Sequence, residues 1–459
     1  MEIVNPATEE VIADLKTDDL SSIAAKYARA RAAQHAWATT PYDDRAASIR
    51  RFRVAVIKEL KTLALTQTLE TGKPITQSRA ELAALIGRLD FFLANTPKAL
   101  TPEVVYQEGD GETSLLEERI SYEPLGVIAN ISAWNYPWFV GSSIFAPALL
   151  TGNTVLYKPS EHASLTGVAI ERILHQSGIP KDVFISVIGA GDVGASLLRQ
   201  PVDGVFFTGS NRTGRRVTEQ VASRLVKLGL ELGGKDPTYV CEDADPEKAA
   251  ASLAEGAMNN AGQSCCAVER IYAHRNIFDA FCGHLRRNIE QLSVGDPQDK
   301  ATYIGPLTRC EQLSVLESQV ADAVAKGAHL IVGGKRLVRK GYYFEPTLLI
   351  GTTDDMLVMR DESFGPIIGV ACVDSDEEAM RRMNDSQYGL TAGVYTPDKA
   401  RAERILAALN AGTVYWNCCD RISPRLPWTG RKQSGLGSTL STLGIRSFTQ
   451  PKAWHFRPE

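Results

Sequence analysis

Apolar residues recur at three- and four-residue spacing through the first hundred residues of the chain. The spacing is clearest over residues 20–28 and 46–53. Such spacing places apolar side chains on one face of a helix. We therefore expect helices from about Asp19 to Thr96, with Pro97 ending the last one because proline interrupts a helix.

From Gly126 onward, short apolar runs alternate with helical stretches. Short apolar strands separated by helices indicate a parallel sheet that is covered by helices on both faces. The predicted strands of a first lobe are residues 126–131, 153–158, 183–188 and 204–207, with a helix over 165–177. The same alternation of strands and helices occurs again after Cys265. We predict helices over residues 278–292 and 311–328 and strands over 329–332 and 368–373. We predict two α/β lobes that meet around residues 231–265.

Two further segments, residues 115–122 and 448–456, look extended but have no obvious strand partner in either lobe. Unpaired strand edges tend to pair with another chain. We therefore expect an arm and a tail that help to form a homodimer or a homotetramer.

Composition narrows the class of protein. A chain of 459 residues has room for two or three domains, and 44% hydrophobic and 23% charged residues are typical of a soluble protein. The net charge of -4 gives no reason to expect nucleic acid or a membrane as partner. Residues 124–157 carry no charged side chain, but closely spaced Gly and Pro exclude a membrane helix there.

Cysteine usage bears on the cellular setting. Eight cysteines are too few for a disulfide framework, and none of them has the CxxC spacing of a metal site. The start of the chain lacks the basic and apolar regions of a signal peptide. We predict a cytoplasmic, reducing setting and no bound metal.

Cys265 and Glu231 are the strongest candidates for chemistry. Cys265 lies in an uncharged turn of small residues, and Glu231 is an isolated acid in an apolar, strand-like run. A thiolate that attacks and a carboxylate that later activates water together suit covalent catalysis. Taken singly, each has an ordinary explanation, because a lone cysteine is often a small buried hydrophobe and the acid could face solvent.

Several strand ends carry groups that could bind a ligand. Residues 209–214 form a Gly-containing turn at a helix start, which suits a pyrophosphate although the third glycine of the usual fingerprint is missing. Lys158 and Glu161 end one strand and could bind a ribose, while Asn135 ends another and could donate to an oxyanion. Each of these groups also has an ordinary explanation. Lys158 and Glu161 could lie in a solvated loop, and Asn135 could cap the next helix.

Taken together, these motifs give the chain a resemblance to the aldehyde dehydrogenase superfamily that extends over nearly its whole length. Six family motifs occur in the family's order at residues 134–137, 158–161, 207–210, 230–235, 262–265 and 362–366. Ala133 departs from the pattern, since a proline often precedes the Trp134-Asn135 pair.

The resemblance implies roles for individual residues. Cys265 would be the nucleophile, Glu231 the base for hydrolysis, and Asn135 a donor of the oxyanion hole. Cofactor contacts would come from Ser132, Trp134, Lys158, Ser160, Glu161, Gly209, Ser210, Gly214, Leu232, Glu362 and Phe364. The substrate pocket would include Tyr136, Trp138, Asn259, Ser264, Cys266 and Ser423.

The resemblance also implies an α/β fold of three parts. These are a Rossmann-type cofactor domain (residues 1–101 and 125–232), an α/β catalytic domain (233–432) and a small β oligomerisation arm with a tail (102–124 and 433–459). An aldehyde would be oxidised to the acid with NAD(P). Glu161 favours NAD because a carboxylate repels a 2′-phosphate, while Lys158 keeps NADP possible.

The substrate class is less well defined by the sequence. We expect an uncharged aldehyde of medium or large size, because Ser143 and Asn259 supply no cation for a buried carboxylate. Arg421 and Arg425 in a late loop keep succinic semialdehyde or another semialdehyde possible. A CoA-acylating relative, which would lack Glu231, and a catalytically silent structural homologue are less favoured alternatives.

Overall fold

The computed structural model describes residues 1–109 and 116–457. The first hundred residues form a short antiparallel strand pair and long helices: β1 (Glu2–Asn5), β2 (Glu10–Asp14), α1 (Leu20–Thr39), α2 (Tyr42–Thr71) and α3 (Ile75–Leu100). Asp19 and Ser22 exchange hydrogen bonds that cap the first turn of α1. The predicted helical region is therefore confirmed, and a capping box explains its start.

The predicted break at Pro97 is wrong, because α3 continues through this residue to Leu100. A proline inside a helix leaves the carbonyl group four residues earlier without its usual donor. That carbonyl group belongs to Leu93, and the Tyr42 hydroxyl donates to it at 2.7 Å. A side chain from α2 thus supplies the hydrogen bond that proline cannot make.

Beyond α3, β3 (Glu103–Glu108) and β4 (Leu116–Pro124) pair in antiparallel fashion. The extended arm is confirmed over residues 116–122. Leu115, the first residue of the predicted arm, lies outside the described residues.

The first lobe alternates strands with helices: β5 (Val127–Ile131), α4 (Pro137–Leu150), β6 (Thr154–Lys158), α5 (Ser164–Gln176), β7 (Phe184–Ser186), α6 (Gly191–Leu197), β8 (Gly204–Thr208), α7 (Asn211–Val221) and β9 (Lys227–Glu231). The chain adds β6 and β7 on one side of β5, then returns to add β8 and β9 on the other. Ligands bind at the carboxyl ends of strands where such a parallel sheet reverses its order. The topology therefore indicates a binding crevice at the ends of β5 and β8.

The second lobe repeats the alternation: β10 (Asp236–Val240), α8 (Pro246–Met258), β11 (Val268–His274), α9 (Phe278–Glu290), α10 (Glu311–Ala325), β12 (His329–Val332), β13 (Thr347–Ile350), α11 (Leu357–Arg360), β14 (Ile367–Val373), α12 (Asp376–Asn384), β15 (Tyr388–Gly389), β16 (Thr391–Tyr395), α13 (Lys399–Ala407) and β17 (Thr413–Trp416). Its sheet has the order β12-β13-β14-β11-β10-β16-β17 and is parallel apart from β12. The predicted α/β lobes with parallel sheets are confirmed.

The chain ends with β18 (Arg431–Lys432), β19 (Gly435–Leu436), α14 (Ser441–Arg446) and β20 (Thr449–Phe456). β19 returns to the first sheet, where Gly435 lies opposite Glu231. β20 pairs with β4 to give a sheet of order β20-β4-β3. The arm and the tail therefore pair with each other, in a sheet separate from those of the two lobes.

No helix of the described residues is long and apolar enough to cross a membrane. The uncharged stretch 124–157 instead forms the buried strand β5, the largely buried helix α4 and part of β6. All eight cysteines belong to the described part of the chain and are free thiols. The cytoplasmic setting stays a prediction.

Candidate active site

A cavity of about 600 Å³ lies where the two lobes meet, and residues of both lobes line it. Its wall includes the segments that follow β5 and β8 and the loop that precedes β11. Cys265, Glu231 and Asn135, which the sequence predicts to be catalytic, all lie on this wall. The fold thus brings a thiol, a carboxylate and an amide together from three separate segments.

The loop that carries Cys265 follows α8 through a turn with left-handed backbone. Asn260, Ala261 and Gly262 have φ values of 54°, 54° and 70°. A Cβ on Gly262 would lie 2.1 Å from the Gly365 carbonyl oxygen, so this close approach requires glycine. The turn is therefore held against the segment that precedes β14.

Gln263 holds the same loop through its side chain. Its Oε1 accepts the Thr308 backbone N–H at 2.9 Å, and its Nε2 donates to the Asn260 carbonyl oxygen at 3.1 Å. The first bond ties the turn to Thr308 in a distant segment, and the second adds to the backbone hydrogen bond that the Asn260 carbonyl oxygen already accepts from the Gln263 N–H at 3.0 Å. The glycine and the glutamine of the Gly-Gln-x-Cys pattern therefore have structural roles in placing Cys265.

Asn135 follows β5 and is buried. Its Nδ2 donates to the Gln263 carbonyl oxygen at 3.1 Å, and Asn260 Nδ2 donates to the Asn135 carbonyl oxygen at 3.2 Å. A side-chain amide has two N–H groups, so the described residues leave Asn135 one donor on the cavity wall. The alternative that Asn135 caps the next helix is wrong, because Tyr136 is the N-cap of α4.

Glu231 ends β9 with its carboxyl group on the cavity wall. The Thr439 hydroxyl donates to Oε1, and the Thr208 hydroxyl lies 3.5 Å from Oε2. Burial raises the pKa of Glu231 above its ordinary value, while the Thr439 hydrogen bond and the charge of Arg88 oppose part of that rise. A raised pKa makes the carboxylate a stronger base. Sequence reasoning missed Thr439, which lies near Glu231 because β19 pairs with β9.

Cys266 is buried next to Cys265. Its Sγ donates to Asp420 Oδ1 at 2.9 Å, and the Ser264 hydroxyl donates to the same oxygen at 3.3 Å. Ser264 and Asp420 line the cavity, whereas Cys266 does not. Burial raises the pKa of Asp420 to about 6. Of these two adjacent thiols, Cys265 is therefore the one that a ligand in the cavity can reach.

Several residues predicted to bind the cofactor also line the cavity: Trp134, Gly209, Ser210, Leu232, Glu362 and Phe364. Trp134 and Phe364 pack edge to face with 5.5 Å between their ring centroids. The Ser210 side chain caps α7 by accepting the Thr213 N–H at 3.3 Å. The positive end of α7 therefore borders the cavity.

Glu362 packs against the Gly233-Gly234 turn that follows β9. Its Oε1 accepts the Gly234 N–H at 3.0 Å, and a Cβ on Gly233 would lie 2.3 Å from that oxygen. Glycine at 233 is therefore what lets the carboxyl group approach. Burial raises the pKa of Glu362 to about 8, so at neutral pH the group is mostly protonated and can donate a hydrogen bond.

The other predicted cofactor residues do not line the cavity: Ser132, Lys158, Ser160, Glu161 and Gly214. Lys158 is the last residue of β6, and its Nζ donates to the Pro159 carbonyl oxygen at 3.1 Å. Burial raises the pKa of Glu161, but the charge of Lys158 and other contacts lower it overall. Gly214 instead packs α7 against Leu232, since a Cβ there would lie 2.5 Å from a Leu232 methyl group.

Of the predicted substrate residues, two line the cavity, Tyr136 and Ser264, and four do not, Trp138, Asn259, Cys266 and Ser423. The placement of Trp138 near the channel is wrong, because α4 directs this side chain into the core, where it is wholly buried. Asn259 contacts the wall indirectly, since the Tyr136 hydroxyl donates to its Oδ1 at 3.3 Å. The residues on either side of Ser423 line the cavity.

The cavity wall also carries an arginine that sequence reasoning missed. Arg88 on α3 reaches α4, where its Nη1 donates to the Ser143 hydroxyl at 2.6 Å and to the Phe139 carbonyl oxygen at 3.1 Å. Burial lowers the pKa of Arg88 to about 10, which still leaves it charged at neutral pH. Of the two late-loop arginines, Arg425 lines the cavity and Arg421 does not. Arg88 and Arg425 therefore bring positive charge to a wall where Ser143 and Asn259 themselves supply none.

The helical pattern contained a signal for Arg88. Leu82, Leu85, Leu89 and Phe92 form a buried stripe along α3, and Arg88 falls within it. A charged residue in a buried stripe needs a specific partner or a function, because burying a charge is costly.

A buried ion pair supports the α4 side of the site. Lys73 Nζ and Glu81 Oε2 are 2.6 Å apart, and each side chain is 1% exposed. Glu81 Oε1 accepts the N–H groups of Trp138 and Phe139 at 3.0 and 3.2 Å. Lys73 Nζ lies 3.5 Å from the centroid of the Tyr136 ring. The pair therefore satisfies the start of α4 with a carboxylate and holds Tyr136 in place.

Comparisons with known proteins agree on one family. The family model described as "Aldehyde dehydrogenase family" matches residues 1–454. The chain is 35% identical over 457 residues to a betaine aldehyde dehydrogenase of Rhizobium leguminosarum bv. trifolii (98% of this chain, 93% of that protein). It is 34% identical over 450 residues to a succinate-semialdehyde dehydrogenase [NADP(+)] of Deinococcus radiodurans, with the same two coverages. A betaine aldehyde dehydrogenase point mutant from Staphylococcus aureus in complex with NAD+ has a TM-score of 0.95 at 31% identity, covering 100% of this chain and 94% of that chain.

Replacing Glu81 by leucine should lower the free energy of unfolding by about 3–5 kcal/mol, because Lys73 would keep a buried charge without a partner. Urea denaturation measures this loss. The double variant Lys73→Met/Glu81→Leu is the matched control and should lose less, since it leaves no uncompensated charge. Equal losses in both variants would show that the capping of α4, and not the ion pair, accounts for the effect.

Proposed function

The chain belongs to the aldehyde dehydrogenase family, and from this premise we propose that it oxidises an aldehyde to the carboxylic acid with NAD(P) through a covalent intermediate on Cys265. One observation carries the proposal: Cys265, Glu231 and Asn135 line a single cavity although they come from separate segments. A thiol, a carboxylate and an amide donor are the groups that thioester formation and hydrolysis need.

In this proposal the Cys265 thiolate attacks the aldehyde carbon and forms a thiohemiacetal. The remaining N–H of the Asn135 amide and the Cys265 backbone N–H donate to the oxyanion that develops. NAD(P), when bound, supplies the acceptor for the hydride that leaves the thiohemiacetal carbon. Water then hydrolyses the thioester, and Glu231 accepts the proton from that water.

Glu231 is the residue that favours hydrolysis over transfer of the acyl group to CoA. It lines the same cavity as Cys265 and receives hydrogen bonds from two threonine hydroxyls. Because burial raises the pKa of Glu231, its basic form is lost as the pH falls through a value above that of an exposed glutamate. Hydrolytic turnover should therefore decline on the acid side at that raised pKa.

Several features of the first lobe fit a dinucleotide. The start of α7, capped by Ser210, suits a pyrophosphate, and strand order reverses between β5 and β8, where dinucleotides bind in open sheets. We take NAD as the preferred cofactor, because the Glu161 carboxylate repels a 2′-phosphate, while Lys158 leaves NADP possible. One relative is named for NADP(+) and one similar structure holds NAD+.

The ratio of kcat/KM for the two cofactors measures the preference for NAD over NADP, and a strong NADP preference would contradict the proposal.

Cys265→Ala should lower the steady-state rate by about 10³-fold or more, since the nucleophile is lost. Cys266→Ala is the matched control, because the neighbouring thiol points to Asp420 and not to the cavity. It should keep most of the activity. A Cys265→Ala protein that turns over aldehyde at the wild-type rate would rule out the assignment.

Glu231→Gln should slow thioester hydrolysis by about 10²- to 10⁴-fold, because the glutamine cannot accept the proton of water. Hydride transfer does not need this base. Rapid mixing should therefore show a burst of NAD(P)H followed by slow turnover. Unchanged steady-state turnover would contradict the proposed role of Glu231.

We also propose that the protein is a homodimer or a homotetramer assembled through the β20-β4-β3 sheet. β20 is exposed almost along its length, with Trp454 and Phe456 36% and 42% exposed, and exposed strand edges favour pairing with another chain. Deleting residues 451–459 should lower the mass measured by light scattering. The cut avoids Phe448, which packs on Phe206 with 4.6 Å between ring centroids. A fully active wild-type monomer would contradict the proposal.

A further inference from the structure

The Arg88 guanidinium is a buried cation, and some of its N–H groups have no hydrogen-bond acceptor among the described residues. The residue is 5% exposed and lines the cavity. The hydrogen bonds that it makes to the described residues both use Nη1, and both reach uncharged groups, the Ser143 hydroxyl and the Phe139 carbonyl. Nε and Nη2 have no partner among the residues that the structure describes, and neither atom is sealed off from the cavity.

A buried guanidinium in this state still needs an anion. Burying a charge is costly unless a counter-charge and hydrogen bonds replace the lost water. The Phe139 ring offers a cation–π contact, with 4.2 Å from the guanidinium carbon to the ring centroid. That contact uses the face of the guanidinium and leaves its in-plane N–H groups free. A carboxylate would accept hydrogen bonds from those N–H groups in the bidentate geometry that arginine favours.

We propose that Arg88 binds a carboxylate on the substrate, so that the preferred substrates are short aldehydes that carry an acid group. This inference rests on the proposed function, because it assigns the substrate class of the Cys265 cavity.

The cavity limits the length of such a substrate. Arg88, Cys265 and Glu231 all line it, and its volume is about 600 Å³. A carboxylate on Arg88 and an aldehyde carbon at Cys265 must both fit within that volume, which favours a short chain between them. Burial has the largest influence on the pKa of Arg88, and the charges of Glu231, Glu81 and Cys265 oppose it, in agreement with this placement.

Asp420, which lies on the same wall, does not require a cationic substrate. Asp420 Oδ1 already accepts hydrogen bonds from Cys266 and Ser264. Burial raises the pKa of Asp420 to about 6, so the group loses part of its charge near that pH. Arg88 stays charged at neutral pH and has no carboxylate within hydrogen-bond distance among the described residues. Arg88 is therefore the buried group in the cavity that lacks a counter-ion within the described part of the chain, and an anionic substrate would supply it.

The other arginines on the wall are less suited to this role. Arg309 pairs with Glu311 at 3.9 Å, and its charge acts on His162, which packs edge to face with Trp134 on the predicted cofactor side. Arg425 is exposed, so water solvates its charge and salt screens it. Arg88 is the buried one of the three.

The first experiment compares three aldehydes under one cofactor. Succinic semialdehyde carries a carboxylate, its methyl ester has a similar shape without the charge, and betaine aldehyde carries a cation. NAD(P)H formation gives kcat/KM for each. The wild-type enzyme should prefer the acid over the ester by at least about 30-fold, as expected for hydrogen bonds to a charged group. A wild-type preference for the ester or for betaine aldehyde would overturn the proposal.

The second experiment removes the cation. Arg88→Met should lower kcat/KM for succinic semialdehyde about 100-fold, mainly through KM, and change kcat/KM for the methyl ester less than about threefold. For Arg88→Lys, kcat/KM for succinic semialdehyde should lie between those of the wild type and Arg88→Met. Lysine keeps the positive charge but not the planar pair of donors that binds a carboxylate in bidentate fashion. Arg425→Met is the comparator and should lose less than about fivefold on the acid. Equal losses of Arg88→Met on acid and ester, or a larger loss in Arg425→Met, would overturn the proposal.

A binding measurement separates this inference from the proposed function. Calorimetry should detect succinate binding to the Cys265→Ala protein and its loss in Cys265→Ala/Arg88→Met. Succinate binding through Arg88 without oxidation of any aldehyde would overturn the proposed function and leave the carboxylate site standing. Oxidation of neutral aldehydes without succinate binding would overturn the carboxylate site and leave the function standing.

Discussion

The hydrogen bond from the Asn135 side chain to the Gln263 carbonyl oxygen joins the two lobes at the reacting centre. It depends on the turn before Cys265, which lies so close to Gly365 that residue 262 must be glycine. Together with the hydrogen bond from Asn260 to the Asn135 carbonyl oxygen, it fixes the position of the amide relative to the loop that carries the thiol. A shift of the loop would separate the groups that the proposed chemistry needs together.

Burial controls the charges in the cavity. It raises the pKa values of Glu231, Asp420 and Glu362 and lowers that of Arg88. The same low-polarity surroundings that make Glu231 a stronger base leave Arg88 in need of an anion. The raised pKa of Glu231 and the lowered pKa of Arg88 therefore share one physical origin, and in the proposal above the carboxylate of the substrate supplies the anion for Arg88.

Much of the site could be predicted from the sequence, because its motifs are short and their residues act locally. The thiol, the carboxylate and the amide were all predicted in this way, and all three line the cavity. The errors share a cause in contacts between distant segments. Pro97 does not end α3 because Tyr42 of α2 replaces the missing donor, and Trp138 turns into the core because α4 packs that face inward. No local pattern reveals either contact.

The sequence by itself determined the helices, the parallel strands and the candidate reacting groups, because periodicity and motif residues are properties of neighbours along the chain. Only the tertiary structure decided that Thr439 lies beside Glu231, that Arg88 reaches Ser143 from another helix, and that the tail pairs with the arm. These features depend on side-chain direction and on approach between residues far apart in the chain. Packing of the whole fold sets both, because each buried group must find room and a partner.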